Sequence, residues 1–369
     1  MIWMRWPQHE LYSLQFMRIL QFAESGASTV RECYLAAEQI RPGDSDSWYC
    51  AWKRFADDNR ASAQRMMGEG HVRLARDMFL RASAYYRSAE LFLADYDQRR
   101  RRVLDAMEDC SLQYLRCLDP AAERVDIRHA DESIAGYFIP GANGARKRPA
   151  VICVDGAGEP KDGHLFRIAA RAISRGLSLL LIDLPWPMGQ APRGFDADRY
   201  GVETAISTCV DYLMARADVD EKRIAIYGDG LGASYAARAA SLDTRFAAAV
   251  CDGGLFDSSY GHSVLGSFAG QPLGRTLDRG VLHGIARNIA CPFLITINWD
   301  CLPDTDAAMK LFGYCRSSGI CADLEPSLLN EQLPDRRTWI EPDRNFILDW
   351  ITLKLAERHQ SGAVRHADI

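Results

Sequence analysis

Apolar and aromatic side chains recur at intervals of three and four through residues 10–118, in "ELYSLQFMRILQFAESG", "SWYCAWKRFADDNRASAQRMMGEGH", "VRLARDMFLRASAYYRSAELFLADYD" and "RRVLDAMEDCSLQYLRCL". That spacing gives a helix one apolar face, so this block is predicted to be all-helical. The period then changes. "ERVDIRHADESIAGYFIPG" reads as a two-strand hairpin and leads into "RPAVICVDG", a continuous apolar run closed by a turn. A helix ("HLFRIAARAISRG"), a strand ("LSLLLIDLP"), a helix ("DADRYGVETAISTCVDYLMARA"), the strand "KRIAIYG", a small-residue helix ("LGASYAARAAS") and the strands "FAAAVCDGG", "PFLITINWD" and "CADLEPSLL" follow. Strands alternating with helices predict an α/β fold with a mostly parallel, doubly wound sheet. The expected domains are a helical one over 1–118 and an α/β core over 119–369. The Gly-rich, aromatic stretch at about 256–290 interrupts the alternation as a lid-like insertion at the C-terminal edge of the sheet, where function concentrates in such folds.

The 369 residues are 48% apolar and 25% charged, the balance of an ordinary soluble protein of more than one domain. A net charge of −5 argues against nucleic acid or an anionic membrane as a partner. The basic runs at 97–102 and 145–148 read as solvated surface. No segment approaches the roughly 18 apolar residues of a membrane span, and the N-terminus lacks an apolar leader run, so a cytoplasmic address is expected. The 11 cysteines include no C-x-x-C pair and no zinc-finger spacing, and they read as reduced thiols. Neither a metal nor a cofactor is expected.

The stretch "YGDGLG", Tyr227 to Gly232, stands where an apolar strand turns into a helix. Together with the helical block containing "GEGHVRLARDMFLRASAYYRSAELF", and with "PAVICVDG", "RGLSLLLIDLP", "DVDEKRIAIYGDGLGASYAARAAS" and "CPFLITINWDCLP", it resembles a group of α/β-hydrolases. That group includes the fermentation–respiration switch protein, the dihydroxypseudooxynicotine hydrolase and polyketide chain-shortening hydrolases. The resemblance covers roughly residues 48–355. It implies an α/β-hydrolase fold with an N-terminal helical cap. It also implies a Ser at the elbow, activated by a His near the C-terminus that an Asp orients, with backbone N–H groups holding the oxyanion. Position by position, the nucleophile falls on Gly230 and the oxyanion segment on Asp155-Gly156, with Leu231 following the elbow. The acid falls on Asp300, with Asp304 next to it in rank. The His should lie within "NEQLPDRRTWIEPDRNFILDW", which contains none; the eight histidines all lie elsewhere.

Without Ser and His, turnover by the usual route falls by about 10⁶-fold. An ionised Asp155 about 4 Å from an oxyanion would oppose it by roughly 4 kcal/mol. Five carboxylates, Asp155, Asp183, Asp229, Asp252 and Asp300, are placed at or just beyond strand ends, where they would raise one another's pKa and serve acid–base chemistry. Asp229 and Asp300 are the expected acid–base residues, with Asp155 modulating them. Gly156, Leu231, Asp252 and the loop aromatics Trp186 and Trp299 are expected to bind a flat or polyketide-like ligand. The expected function is therefore non-hydrolytic chemistry (cyclisation, dehydration or C–C cleavage) in natural-product or aromatic metabolism. Two alternatives stay open: a catalytically silent protein that binds a ligand or partner, and a hydrolase with Asp229 as nucleophile or with Gly230 engineered in place of Ser. The expected partner is a small molecule, and a homodimer is left open.

Overall fold

A computed structural model describes residues 5–142, 147–155, 159–184, 201–252, 288–297, 302–317, 319, 322–326 and 344–367. The chain divides into two compact units. One is Met1–Glu123 with Asp162–Ala170, and the other is Arg124–Lys161 with Arg171–Ile369.

The first unit is helical: α1 (Glu10–Gln21), α2 (Val30–Ala37), α3 (Ser45–Gly68), α4 (Val72–Glu90) and α5 (Gln98–Arg116). Local chemistry sets the helix starts. The Asp44 carboxylate accepts from the backbone N–H groups of Asp46 and Ser47, Thr29 accepts from Glu32, and Asp97 accepts from Arg99. Aromatic packing then closes the bundle. Trp48 and Trp52 on α3 and Tyr85 on α4 are fully buried, and the Trp48 indole N–H donates to the Ser88 carbonyl at 2.8 Å. The Ser83 and Ser111 hydroxyls, 2.7 Å apart, link α4 to α5. A later helical stretch, α6 (162–174), loosens into a π-helix at Leu165–Ala169. Its first part belongs to this unit, where Phe166 packs against Phe22 with ring centroids 5.7 Å apart.

The second unit is built on an eight-stranded sheet in the order β1-β2-β4-β3-β5-β6-β7-β8. The strands are β1 (Glu123–His129), β2 (Glu132–Ile139), β3 (Arg148–Val154), β4 (Ser178–Ile182), β5 (Val219–Asp229), β6 (Ala248–Asp252), β7 (Phe293–Ile297) and β8 (Ala322–Pro326). β2 runs antiparallel to β4, and the pairings from β4 through β8 are parallel. Helices α7 (Val202–Met214), α8 (Leu231–Leu242), α9 (Leu302–Ser317) and α10 (Arg344–Ala367) complete it. The central strands are apolar without alternation because both faces are covered: Ala150–Val154, Leu179–Leu181 and Ile224–Ile226 are at most 1% exposed. The α/β-hydrolase fold expected from the sequence is the fold observed. The expected insertion at 256–290 falls almost wholly outside the described residues.

Candidate active site

β5 ends at Asp229 and α8 begins at Leu231, with Gly230 alone between them. The chain makes this turn through φ 56° and ψ −123° at Gly230, a left-handed conformation that suits a residue without Cβ. A Cβ on Gly228 would stand 2.1 Å from the Gly232 carbonyl oxygen, and one on Gly232 would stand 2.3 Å from that of Val154. Those two glycines let α8 rest directly on the ends of β5 and β3. At Gly230, by contrast, a Cβ would meet no described atom within 4 Å. This is the sharp strand-to-helix elbow of the hydrolase fold, with Gly230 at its tip.

The strand registers gather the carboxylates. Leu181 is level with Cys153, Val154 with Gly228, and Asp229 with Asp252. Carried to the strand ends, these registers set Asp183, Asp155, Asp229 and Asp252 in one row across four adjacent strands. Thr296 on β7 extends the row, since Cys251 is level with Ile295. In-register residues of parallel strands share a sheet face.

Asp252 is 1% exposed, and its carboxylate accepts from the Tyr227 hydroxyl at 2.6 Å and the Thr296 hydroxyl at 2.7 Å. Beside it, the carboxylate of Asp229 lies 3.6 Å from Nη2 of Arg344, the first residue of α10; their side chains are 19% and 11% exposed. Burial, and then the charge of Asp229, pushes the Asp252 carboxyl up to about 6, against the pull of Arg344 and the two hydroxyl donors. At the far end of the row, Lys161 is 4% exposed, and its ammonium sits 2.6 Å from Asp183 and over the Tyr137 ring at 4.5 Å. The Lys161 backbone N–H also donates to Asp183 at 2.7 Å. A carboxyl that titrates near neutrality, joined to a more accessible one, can take and return protons.

Of the expected site residues, Asp229 lies on the strand one residue before the tip, and Asp155 directly follows β3, its Cα 3.0 Å from where a Gly232 Cβ would lie. Asp252, expected to bind ligand, is buried and level with Asp229 on the adjacent strand. Leu231 opens α8. Gly156, Trp186, Trp299 and Asp300 lie outside the described residues, as does the side chain of Asp304. Sequence reasoning missed Arg344, Tyr227, Thr296 and Lys161. Tyr227 carried a signal, since two residues before Asp229 on a strand means the same face. Arg344 lies in the segment where the resemblance calls for a His, and only its charge marked it. Among the described residues, no group of three or more His, Cys, Asp or Glu is arranged to hold a metal ion, and no helix is long and apolar enough to cross a membrane.

No protein-family model matches the chain. Over 257 residues it is 28% identical to the hydrolyase poxO of Penicillium oxalicum, covering 67% of this chain and 61% of that protein. It is 27% identical over 305 residues to the hydrolase acrC of Aspergillus aculeatus, covering 76% and 71%. It is 28% identical over 259 residues to the 20-hydroxy-prefusarin hydrolase FUS2 of Gibberella moniliformis, covering 67% and 61%. The chain thus spans about 61% of the length of poxO and FUS2. The crystal structure of the 2,6-dihydroxy-pseudo-oxynicotine hydrolase superposes with a TM-score of 0.68 at 19% identity, over 91% of this chain and 95% of that one. Strand order, elbow and these similarities together identify the chain as an α/β-hydrolase-fold protein.

Proposed function

We propose that the chain is an enzyme of natural-product metabolism that acts on a polyketide-like, β-dicarbonyl or aromatic small molecule by acid–base chemistry, without a Ser-His pair. The observation that carries this reading is the pair Asp229 and Asp252, level on adjacent strands at the elbow and flanked by Arg344. Asp229, the more accessible carboxylate, removes a proton from carbon between two carbonyls. The positive charge of Arg344 suits the enolate that results, and return of the proton to carbon or to a leaving hydroxyl completes cyclisation or loss of water. Asp155 and Asp300 remain candidates for tuning the pair. The similarity to the 20-hydroxy-prefusarin hydrolase supports a small-molecule substrate.

The names of acrC and FUS2 favour a second reading, hydrolysis, with Asp229 as nucleophile or with Gly230 standing where a Ser belongs. Incubating the protein with a panel of β-dicarbonyl polyketide mimics and weighing the products by mass spectrometry separates the readings. Acid–base chemistry yields products of unchanged mass, products lighter by one water, or C–C cleavage fragments whose masses sum to that of the substrate, and these disappear in Asp229→Asn. A product, or a pair of fragments taken together, heavier than the substrate by one water favours hydrolysis. Binding without turnover identifies a silent protein.

A further inference from the structure

The carboxyl pair at the elbow is asymmetric. Asp229 faces a guanidinium and retains some exposure, whereas Asp252 is buried and, among the described residues, accepts from two hydroxyl groups. We propose that Asp229 and Asp252 take up a single proton as a unit, and that Arg344 acts as a positioning residue that directs it to Asp252 by keeping Asp229 ionised. This deepens the reading of the site as an acid–base centre. It assigns a role to a cation delivered by the C-terminal segment from which a hydrolase would take its histidine.

Among the described residues, the groups around Asp252 support the assignment. From β5 come Tyr227 and Asp229, from β7 Thr296, and from α10 Arg344; next beyond Asp229 in the row is Asp155, directly after β3. On its own strand, Cys251 turns the other way, its thiol donating to the Ala233 carbonyl at 3.0 Å. Carboxylates borne on neighbouring strands, whose backbones lie about 5 Å apart, repel more strongly as water is excluded, so the second ionisation is delayed. The proton settles on Asp252, because the guanidinium of Arg344 stands 3.6 Å from Asp229 and holds that carboxylate ionised more strongly than it opposes protonation of Asp252. Once protonated, Asp252 can donate to the Tyr227 oxygen, because a hydroxyl that donates at 2.6 Å can turn and accept. Such linked groups titrate as a pair, and their apparent values belong to the pair.

The test needs no substrate, so its failure is distinguishable from failure to find turnover. The full chain is labelled with ¹³C at the aspartate carboxyl carbons, and the signals are followed by NMR from about pH 4 to 9, a span that brackets ordinary and raised carboxyls. In the wild type, one signal titrates near pH 6. It vanishes in Asp252→Asn, and the Asp229 signal stays flat through that step. In Asp229→Asn the midpoint falls by about one unit or more. In Arg344→Met it rises, and the Asp229 signal now moves in the same step, because the proton is shared. Arg344→Lys restores the wild-type pattern in part, and it keeps the test decisive if the Met variant does not fold. Three results would overturn the proposal: a raised signal that vanishes in Asp229→Asn instead, a midpoint indifferent to Arg344, or two carboxyls that both titrate in the ordinary range.

Discussion

Asp252 carries a sign that can be checked without knowing a substrate. Its folded carboxyl, at about 6, lies above the ordinary 3.8, so the folded chain binds this proton more tightly than the unfolded chain does. Its contribution to stability is complete below about pH 4 and is lost as pH rises through about 6. Asp252→Asn removes that titration. The variant is expected to lose less stability than the wild type between about pH 4 and 7, by roughly 1–3 kcal/mol, as read from urea midpoints. An unchanged pH slope would contradict the assignment. The elbow glycines differ in kind. Gly230→Ala meets no described atom within 4 Å but adopts a strained backbone at φ 56°, an expected loss of ~1–3 kcal/mol. Gly228→Ala drives its methyl to 2.1 Å from a carbonyl oxygen, so a loss of roughly 3 kcal/mol or more is expected. Chemical denaturation of the two variants checks the order.

At the level of elements, what positions the chemistry is the register of parallel strands and the way loops are tied to them. Lys161 fastens the chain that follows β3 to the end of β4, through both its ammonium and its backbone N–H on Asp183. Lys161→Met leaves Asp183, which is 36% exposed, without that cation; the partial exposure of Asp183 lowers the expected loss to ~1–3 kcal/mol. Faster amide exchange over 159–161 should accompany it, with little change at Asp229. The strands themselves were legible, because apolar runs such as "AVICV" and "LSLLLI" answer to burial on both faces. So was the elbow, whose glycines report close backbone approach. The placing of aspartates at strand ends was legible too, but their alignment in one row was not, since register depends on hydrogen bonds between strands far apart in sequence. Arg344 was hidden for the same reason: it lies 115 residues after Asp229 and meets it only through the packing of α10. α2, eight residues long, is too short to show a clear period.

For the whole molecule, the sequence divides at the change from helical to alternating period near residue 118, while contacts divide it at Glu123 and return Asp162–Ala170 to the helical unit. A local pattern cannot reveal that a helix begun in one unit ends in another. The fold is that of the hydrolases, and the relatives carry hydrolase names. Even so, the elbow tip has no side chain, and among the described residues the groups beside it include the carboxylates of Asp155, Asp229 and Asp252. The central claim is that Asp229 supplies the chemistry. The measurement that tests it most directly is the rate of product formation by Asp229→Asn beside the wild type, on whichever β-dicarbonyl compound the wild type consumes, with native circular dichroism in both. Loss of a general acid–base residue predicts a fall of at least about 100-fold. A variant that keeps its rate to within a few-fold would contradict the account.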